Sequence, residues 1–274
     1  MRINGQKLLI GLLSIALVGG VFALAGKDEI TIKGSTTVLP IAQSCAEAFM
    51  NQHSDVNISV QGGGSGVGIS SIIDGTAHIG DASRGSKDKE KETAKQNGVD
   101  LYENVVAMDG IAVIVHPGNP VSELSLEQIK AIYTGKISDW KDVGGKKGKI
   151  VVISRDSSSG TFETFNELAL DKEKVRPDAL MNASNNAVAQ TVAKTPAAIG
   201  YVGIGYLSSS VKGLTVNSVD PTNENVLNKS YPLARKLFMY TRGKPQGVIA
   251  DFINFILSKD GQKLVDKAGF VPLQ

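Results

Sequence analysis

Three short stretches of this chain join glycine to hydroxyl side chains just ahead of a segment patterned as a helix. They are Gly34-Ser35-Thr36-Thr37, Gly62-Gly63-Gly64-Ser65-Gly66 and Ser157-Ser158-Ser159-Gly160-Thr161. A helix N-terminus presents unpaired N–H groups and the positive end of the helix dipole, so it attracts anions. Glycine lets the backbone approach a ligand closely, and Ser and Thr hydroxyls rotate to donate. A single Ser or Thr in such a place is ordinarily an N-cap. Three of them at strand ends point to a shared anion. Arg155 stands just ahead of the third turn, and its planar fork of donors suits a tetrahedral oxyanion. Arg84, after Ser83, is a second candidate cation, with a surface or salt-bridged role as its alternative. A hydrogen bond to a charged group contributes roughly 1.5–3 kcal/mol, whereas micromolar binding needs only about 8 kcal/mol. Six or more donors exceed that on paper, and the difference goes into dehydrating the ion and closing the protein around it.

Catalytic readings find less support. No lysine follows the glycine runs, so the phosphate loop of nucleotide hydrolases is absent, and no dinucleotide fingerprint fits residues 62–68. No G-x-S-x-G elbow occurs. Ser65 or Ser159 could act as a nucleophile, but no histidine lies in an identifiable partner motif. His53, His78 and His116 stand apart without metal-ligand spacing, so neither a metal nor another cofactor is expected. The chain is expected to bind and not to catalyse.

The elements that must position these turns alternate. Strands are predicted at 29–35, 56–62, 77–83, 110–116, 149–155, 198–207 and 232–241. Helices are predicted at 40–53, 67–75, 125–135, 161–170, 185–196 and 248–269, with a polar helix-forming run at 86–98. Ser125 reads as an N-cap and Gly135 as the end of its helix. This alternation argues for an α/β fold.

The chain has 274 residues, enough for two lobes. Aromatic residues make up 5%, which disfavours a stacking surface for single-stranded nucleic acid. Arg2 and Lys7 precede an uncharged run from Leu8 to Ala25 that ends in Ala23-Leu24-Ala25, the form of a cleavable signal peptide over residues 1–25. The run just reaches spanning length, so a retained anchor is the competing reading. Of 29 basic and 27 acidic residues, two basic ones fall in that segment, leaving a mature chain near neutrality. Nucleic-acid binders normally carry a basic surplus, so an anion here must be held by local groups. The lone Cys45 sits in an alanine-rich apolar pattern and reads as core packing.

In order along the chain, IKGSTTVLPIAQ, GGGSGVGISSIIDGTAHIGDASR, DGIAVIVHPGNP, LEQIKAIYTGKISDWKDVGG, ISRDSSSGTFETF and AIGYVGIGYL resemble the PstS family, the phosphate-binding proteins that feed ABC importers. The resemblance implies a two-lobed type II periplasmic-binding fold with the ligand in the cleft. It places lobe one at 26–112 and 231–274 and lobe two at 113–230. It implies that Thr36, Thr37, Ser65 and Ser83 face Arg155, Ser159, Gly160 and Thr161 across one phosphate ion. The implied partners are phosphate and the permease subunits of the importer, and a monomer is expected.

Two departures from the family pattern stand out. Ser83 occupies the place of an aspartate that accepts the ligand's proton and so rejects sulfate. Asp109 is the first candidate to replace that acceptor, Asp156 the second and Asp81 the third. Val38 takes a usual threonine place before the first helix. Capture of another oxyanion, such as sulfate, molybdate or tungstate, is the alternative among binding proteins, and a secreted phosphatase or esterase is the alternative from another class.

Overall fold

Alternating apolar residues such as Ile30 and Ile32 turn one face of the first strand into a core, and the same rule builds a sheet through the whole molecule. The computed structural model describes residues 28–273. Its first elements are β1 (Asp28–Gly34), α1 (Leu39–Gln52), β2 (Val56–Gly62), α2 (Ser65–Ile73), β3 (Ile79–Ala82) and α3 (Asp88–Gln96). Next come β4 (Leu101–Val115), β5 (Glu123–Leu124), α4 (Leu126–Thr134), a 3-10 turn at Trp140–Val143, β6 (Val151–Arg155), α5 (Gly160–Leu170), β7 (Leu180–Asn182) and α6 (Asn185–Lys194). The last are β8 (Ala198–Gly203), a 3-10 turn at Ile204–Tyr206, β9 (Lys212–Gly213), β10 (Thr215–Val216), α7 (Asn223–Leu227), β11 (Ala234–Arg242), α8 (Gly247–Leu257) and α9 (Lys259–Lys267).

The strands run in the order β2-β1-β3-β11-β4-β8-β6-β7, with β9 added beside β4. The α/β fold is two-lobed, and β4 serves both lobes. Its residues 101–110 pair with β11, and its residues 111–115 pair with β8. The partner changes between Gly110 and Ile111, two residues before the crossing expected after 112. The chain comes back beside this point, where the Ile111 amide donates to the Leu233 carbonyl at 2.9 Å and Ala234 faces Gly110. Tyr231 and Leu233 still pack in the second lobe's core, so β11 starts three residues beyond the return expected at 231.

The first lobe is layered on both faces. Ile30, Ile32, Phe49, Leu237 and Phe252 fill one side beneath α1, α8 and α9, and the buried Cys45 packs among them. Ile69, Ile72, Ala82 and Phe238 fill the other, beneath α2 and α3. In the second lobe, Tyr133, Phe165 and Tyr201 anchor a single larger core, with the Phe165 and Tyr201 rings stacked at 4.0 Å.

Local signals set several boundaries. The Ser125 hydroxyl accepts from the Gln128 amide, and Gly135 closes α4 in the left-handed region at φ 86°. The predicted strand at 110–116 begins at Leu101 instead, because the nine extra residues find partners along β11. The predicted helix at 248–269 is two helices, interrupted at Ser258, whose hydroxyl caps the second by accepting from Gly261. No helix among the described residues is long and apolar enough to cross a membrane. The apolar run of residues 8–25 lies outside the described residues.

Candidate oxyanion-binding site

The strands of both lobes deliver helix N-termini to one cleft. In the first lobe, β1 leads to α1 and β2 leads to α2. In the second, β6 leads to α5 and β7 leads to α6. Three of these four were expected from their glycine and hydroxyl content. The fourth, α6, brings Asn185, which is fully buried.

At α1, the Ser35 hydroxyl accepts from the amides of Thr37 and Val38 at 3.1 and 3.4 Å. Ser35 thus closes the turn ahead of α1 and leaves the Thr36 and Thr37 hydroxyls for other partners. Val38 is buried in the first lobe's core, so the valine at this position faces away from the cleft. At α5, the Ser159 hydroxyl accepts from the Phe162 amide at 3.2 Å and retains its own proton for donation.

Contacts across the cleft are direct. The Thr37 and Thr161 hydroxyls are 2.9 Å apart. Asn185 Nδ2 lies 3.0 Å from both the Thr36 and the Thr37 hydroxyl oxygens. Its orientation is fixed by Oδ1, which accepts from the Gly203 amide at 3.2 Å. Gly160 fits against the Ser65 and Ser83 hydroxyls, where a Cβ would collide with both. Gly64 adopts φ 98° and lies so close to the Ser158 carbonyl that no side chain is accommodated. The Gly66 amide donates to that carbonyl at 3.0 Å.

The cluster is rich in donors. Thr37 Oγ1 receives Asn185 Nδ2 and Arg235 Nη2, which fills its lone pairs and leaves its proton to be given away. Thr161 Oγ1 receives Arg235 Nη2 at 3.1 Å. Ser65 Oγ receives the Ser83 amide at 2.9 Å and lies 3.3 Å from Ser83 Oγ. Arg155 is 1% exposed. Its Nε and Nη2 donate to the carbonyls of Asn182 and Ala183 at 2.9 and 3.0 Å. Its Nη1 is buried without a hydrogen-bond partner among the described residues. Carbonyls hold this guanidinium in place without neutralising it. Burial lowers its ionisation below the ordinary arginine range, and nearby Arg235 adds to that.

The expected acidic and basic partners take other places. Arg84 does not touch these hydroxyls. Its two Nη atoms form a fork on Glu90 at 2.7 and 2.8 Å, and its Nε faces Glu163, which is the salt-bridged alternative. Asp109 is buried on β4, but Oδ2 accepts from Arg235 Nε at 2.8 Å and Oδ1 from the Ile204 amide at 3.0 Å. Burial pushes the Asp109 carboxyl up, and Arg235 opposes the shift. Asp109 therefore orients Arg235 and makes no hydrogen bond to the clustered hydroxyls. Asp156 Oδ1 accepts from the amide and hydroxyl of Ser158, which fixes the turn before α5. Asp81 points to the opposite face of β3, near Cys45, whose thiol is pushed up to about 12 by burial and then by Asp81. Burial alone lifts the Asp81 carboxyl well above the usual range.

Two members of the cluster escaped the reading of the sequence. Arg235 was hidden in a late strand, although a charged residue within PLARKLFMYT was its signal. Asn185 was hidden in a predicted helix, with Ser184-Asn185 ahead of an apolar run as its only mark. The hydroxyls have no imidazole beside them. His53 and His78 are exposed, and the His116 ring accepts from the Gly118 amide.

Comparison with known proteins agrees with this architecture. Residues 23–260 match the model of the PBP superfamily domain. The chain is 37% identical over 247 residues to the phosphate-binding protein PstS of Bacillus subtilis, covering 89% of this chain and 81% of the relative. It superposes with a TM-score of 0.84 at 38% identity on a Clostridium perfringens protein described as a phosphate ABC transporter substrate-binding protein and solved with bound phosphate. That match covers 90% of this chain and all of the other. An ABC-type phosphate transport receptor from Vibrio cholerae superposes at 0.73 with 34% identity, covering 89% of this chain and all of the other. With this extent of identity along nearly the whole chain, on a fold whose helix N-termini meet in one cleft, the protein belongs to the PstS family of substrate-binding proteins.

Proposed function

We propose that this chain captures inorganic phosphate outside the cytoplasm and delivers it to the permease of an ABC importer. The observation that carries the reading is the buried cluster of hydroxyl donors together with the buried Arg155, whose Nη1 has no hydrogen-bond partner among the described residues. A donor buried without an acceptor is costly, and an oxyanion oxygen satisfies it. The ligands in this reading are Thr36, Thr37, Ser65 and Ser83 from the first lobe and Arg155, Ser159, Gly160 and Thr161 from the second. Asn185 and Arg235 join them, and Asp109 acts through Arg235. Arg84 is left out of the set.

The lobes move about the paired crossings at Gly110–Ile111 and Leu233–Ala234, and the ion favours the closed arrangement because only there do both halves reach it. Residues 1–25 direct export, and the mature chain acts as a monomer. The chain binds its ligand and performs no chemistry on it.

Capture of another oxyanion is favoured by one observation. None of Asp81, Asp109 and Asp156 is hydrogen-bonded to the clustered hydroxyls; Asp109 is held by the Ile204 amide and Arg235, and Asp156 by Ser158. Calorimetric titration of residues 26–274 with phosphate, and then with sulfate as competitor across pH, tests both readings. Tight phosphate binding without sulfate competition upholds phosphate specificity. Equal binding of the two ions refutes it.

A further inference from the structure

Outside the hydroxyl cluster, a second polar contact spans the cleft at its mouth, and it is built from charges. Glu163 lies in the first turn of α5, on the second lobe. Its Oε2 is 2.5 Å from Arg84 Nε, at an angle that makes an ion pair and not a hydrogen bond, and its Oε1 is 2.8 Å from Lys87 Nζ. Both cations belong to the segment between β3 and α3 on the first lobe.

The receiving side is organised within its own lobe. The Lys87 amide donates to Glu90 Oε2 at 2.8 Å, fixing Glu90 at the start of α3. Glu90 in turn grips both Nη atoms of Arg84, and Nη1 also donates to the Gly85 carbonyl at 2.9 Å. Nε is turned toward the other lobe. Arg84 and Glu163 side chains are 8% and 16% exposed, whereas Lys87 is 52% exposed. The Arg84 pair is therefore shielded from salt, and the Lys87 pair is not.

We propose that Glu163 is an interlobe latch: closure inserts it between Arg84 and Lys87, and this contact sets how long the closed protein holds its ion. The inference rests on the closing motion of the proposed function. The geometry separates the latch from the binding cluster, because Glu163 touches no clustered hydroxyl and its negative charge cannot itself hold an anion. Its effect belongs to the closed state alone. Separating the lobes breaks both Glu163 contacts while leaving Arg84 on Glu90. Loss of the latch therefore speeds opening and leaves capture nearly unchanged. A partner removed from a partly buried ion pair also exposes the other to an uncompensated environment, so the neutral amide is the mildest probe.

The test is rapid-mixing measurement of phosphate association and release for the wild type, Glu163→Gln and Lys87→Gln, at low and high salt. Glu163→Gln is expected to release phosphate about tenfold faster, with association changed less than about threefold. Lys87→Gln is expected to release it about twofold faster at low salt and at the wild-type rate at high salt. Release by Glu163→Gln at the wild-type rate, or equal changes in association and release, overturns the latch while phosphate capture stands. If the wild type takes up no phosphate, the functional reading fails instead. The latch is then read from the distance between spin labels on the two lobes: low salt must shorten it in the wild type and not in Glu163→Gln, and equal responses overturn the latch.

Discussion

Two buried arginines stand at the cleft, one at its centre and one at its mouth. At the centre, Arg155 is held by the carbonyls of Asn182 and Ala183. At the mouth, Arg84 is held by the carboxylates of Glu90 and Glu163. Both side chains are nearly buried and both are fixed by several bonds. The carbonyls orient a guanidinium without cancelling its charge, whereas the carboxylates orient and cancel it together. A cation attracts a diffusing anion only if its charge remains uncompensated. The identity of the positioning groups thus separates a binding arginine from a structural one, which neither burial nor sequence neighbours can do.

Substitution can break this contrast. Arg155→Met should weaken phosphate binding about a thousandfold, since loss of a buried charged partner costs several kcal/mol. Calorimetry reads the change, and a loss under tenfold would remove Arg155 from the centre of the site. Gly160→Ala should weaken binding about a hundredfold, because the added Cβ meets the Ser65 and Ser83 hydroxyls as the lobes meet. Its melting temperature should stay close to the wild type's, which separates obstructed closure from misfolding. Arg84→Gln should cost at most about tenfold in affinity, expressed in release and not in capture. A loss as large as that of Arg155→Met would show that the two arginines are not different in kind.

The smallest effect on binding concerns Asp81. Burial raises the Asp81 carboxyl, so the folded chain holds this proton to higher pH than the unfolded chain, which releases it above pH about 4. Stability from this group is intact below that pH and declines as pH rises, until the folded carboxyl itself ionises. Asp81→Asn should therefore be more stable than the wild type at pH 7, by about 1–3 kcal/mol, and equal to it near pH 4. Denaturant unfolding at the two pH values measures this, and phosphate affinity should hardly move.

The site was legible where the chemistry is local. Glycine and hydroxyls before a helix mark an N-terminus whatever the rest of the chain does, so Thr37, Ser65 and Thr161 could be found one turn at a time. Arg235 could not, because its role depends on β11 lying beside β4, where Asp109 waits 126 residues away. Asn185 is similar. Nothing near it in sequence says that α6 begins against Thr36, 149 residues distant. The first half of β4 was missed for the same reason, as Leu101–Asp109 is recognisable as strand only through its partners on β11. Arg84 and Arg155 looked alike in sequence because each follows a serine at a strand end, and only their partners tell them apart.

The two crossings between the lobes are neighbouring strands, hydrogen-bonded where Gly110 faces Ala234. A pair of strands joined this way is a ribbon, compliant to bending out of its plane and stiff to shear within it. Relative motion of the halves is thereby reduced to something near a single coordinate. The opposing hydroxyls and amides need not search for one another in orientation each time an ion arrives, because the folded chain has already aligned them. Selectivity and the path of the motion then depend on different parts of the molecule: the first on the lining of the cleft, the second on the strand pair at Gly110–Ile111 and Leu233–Ala234.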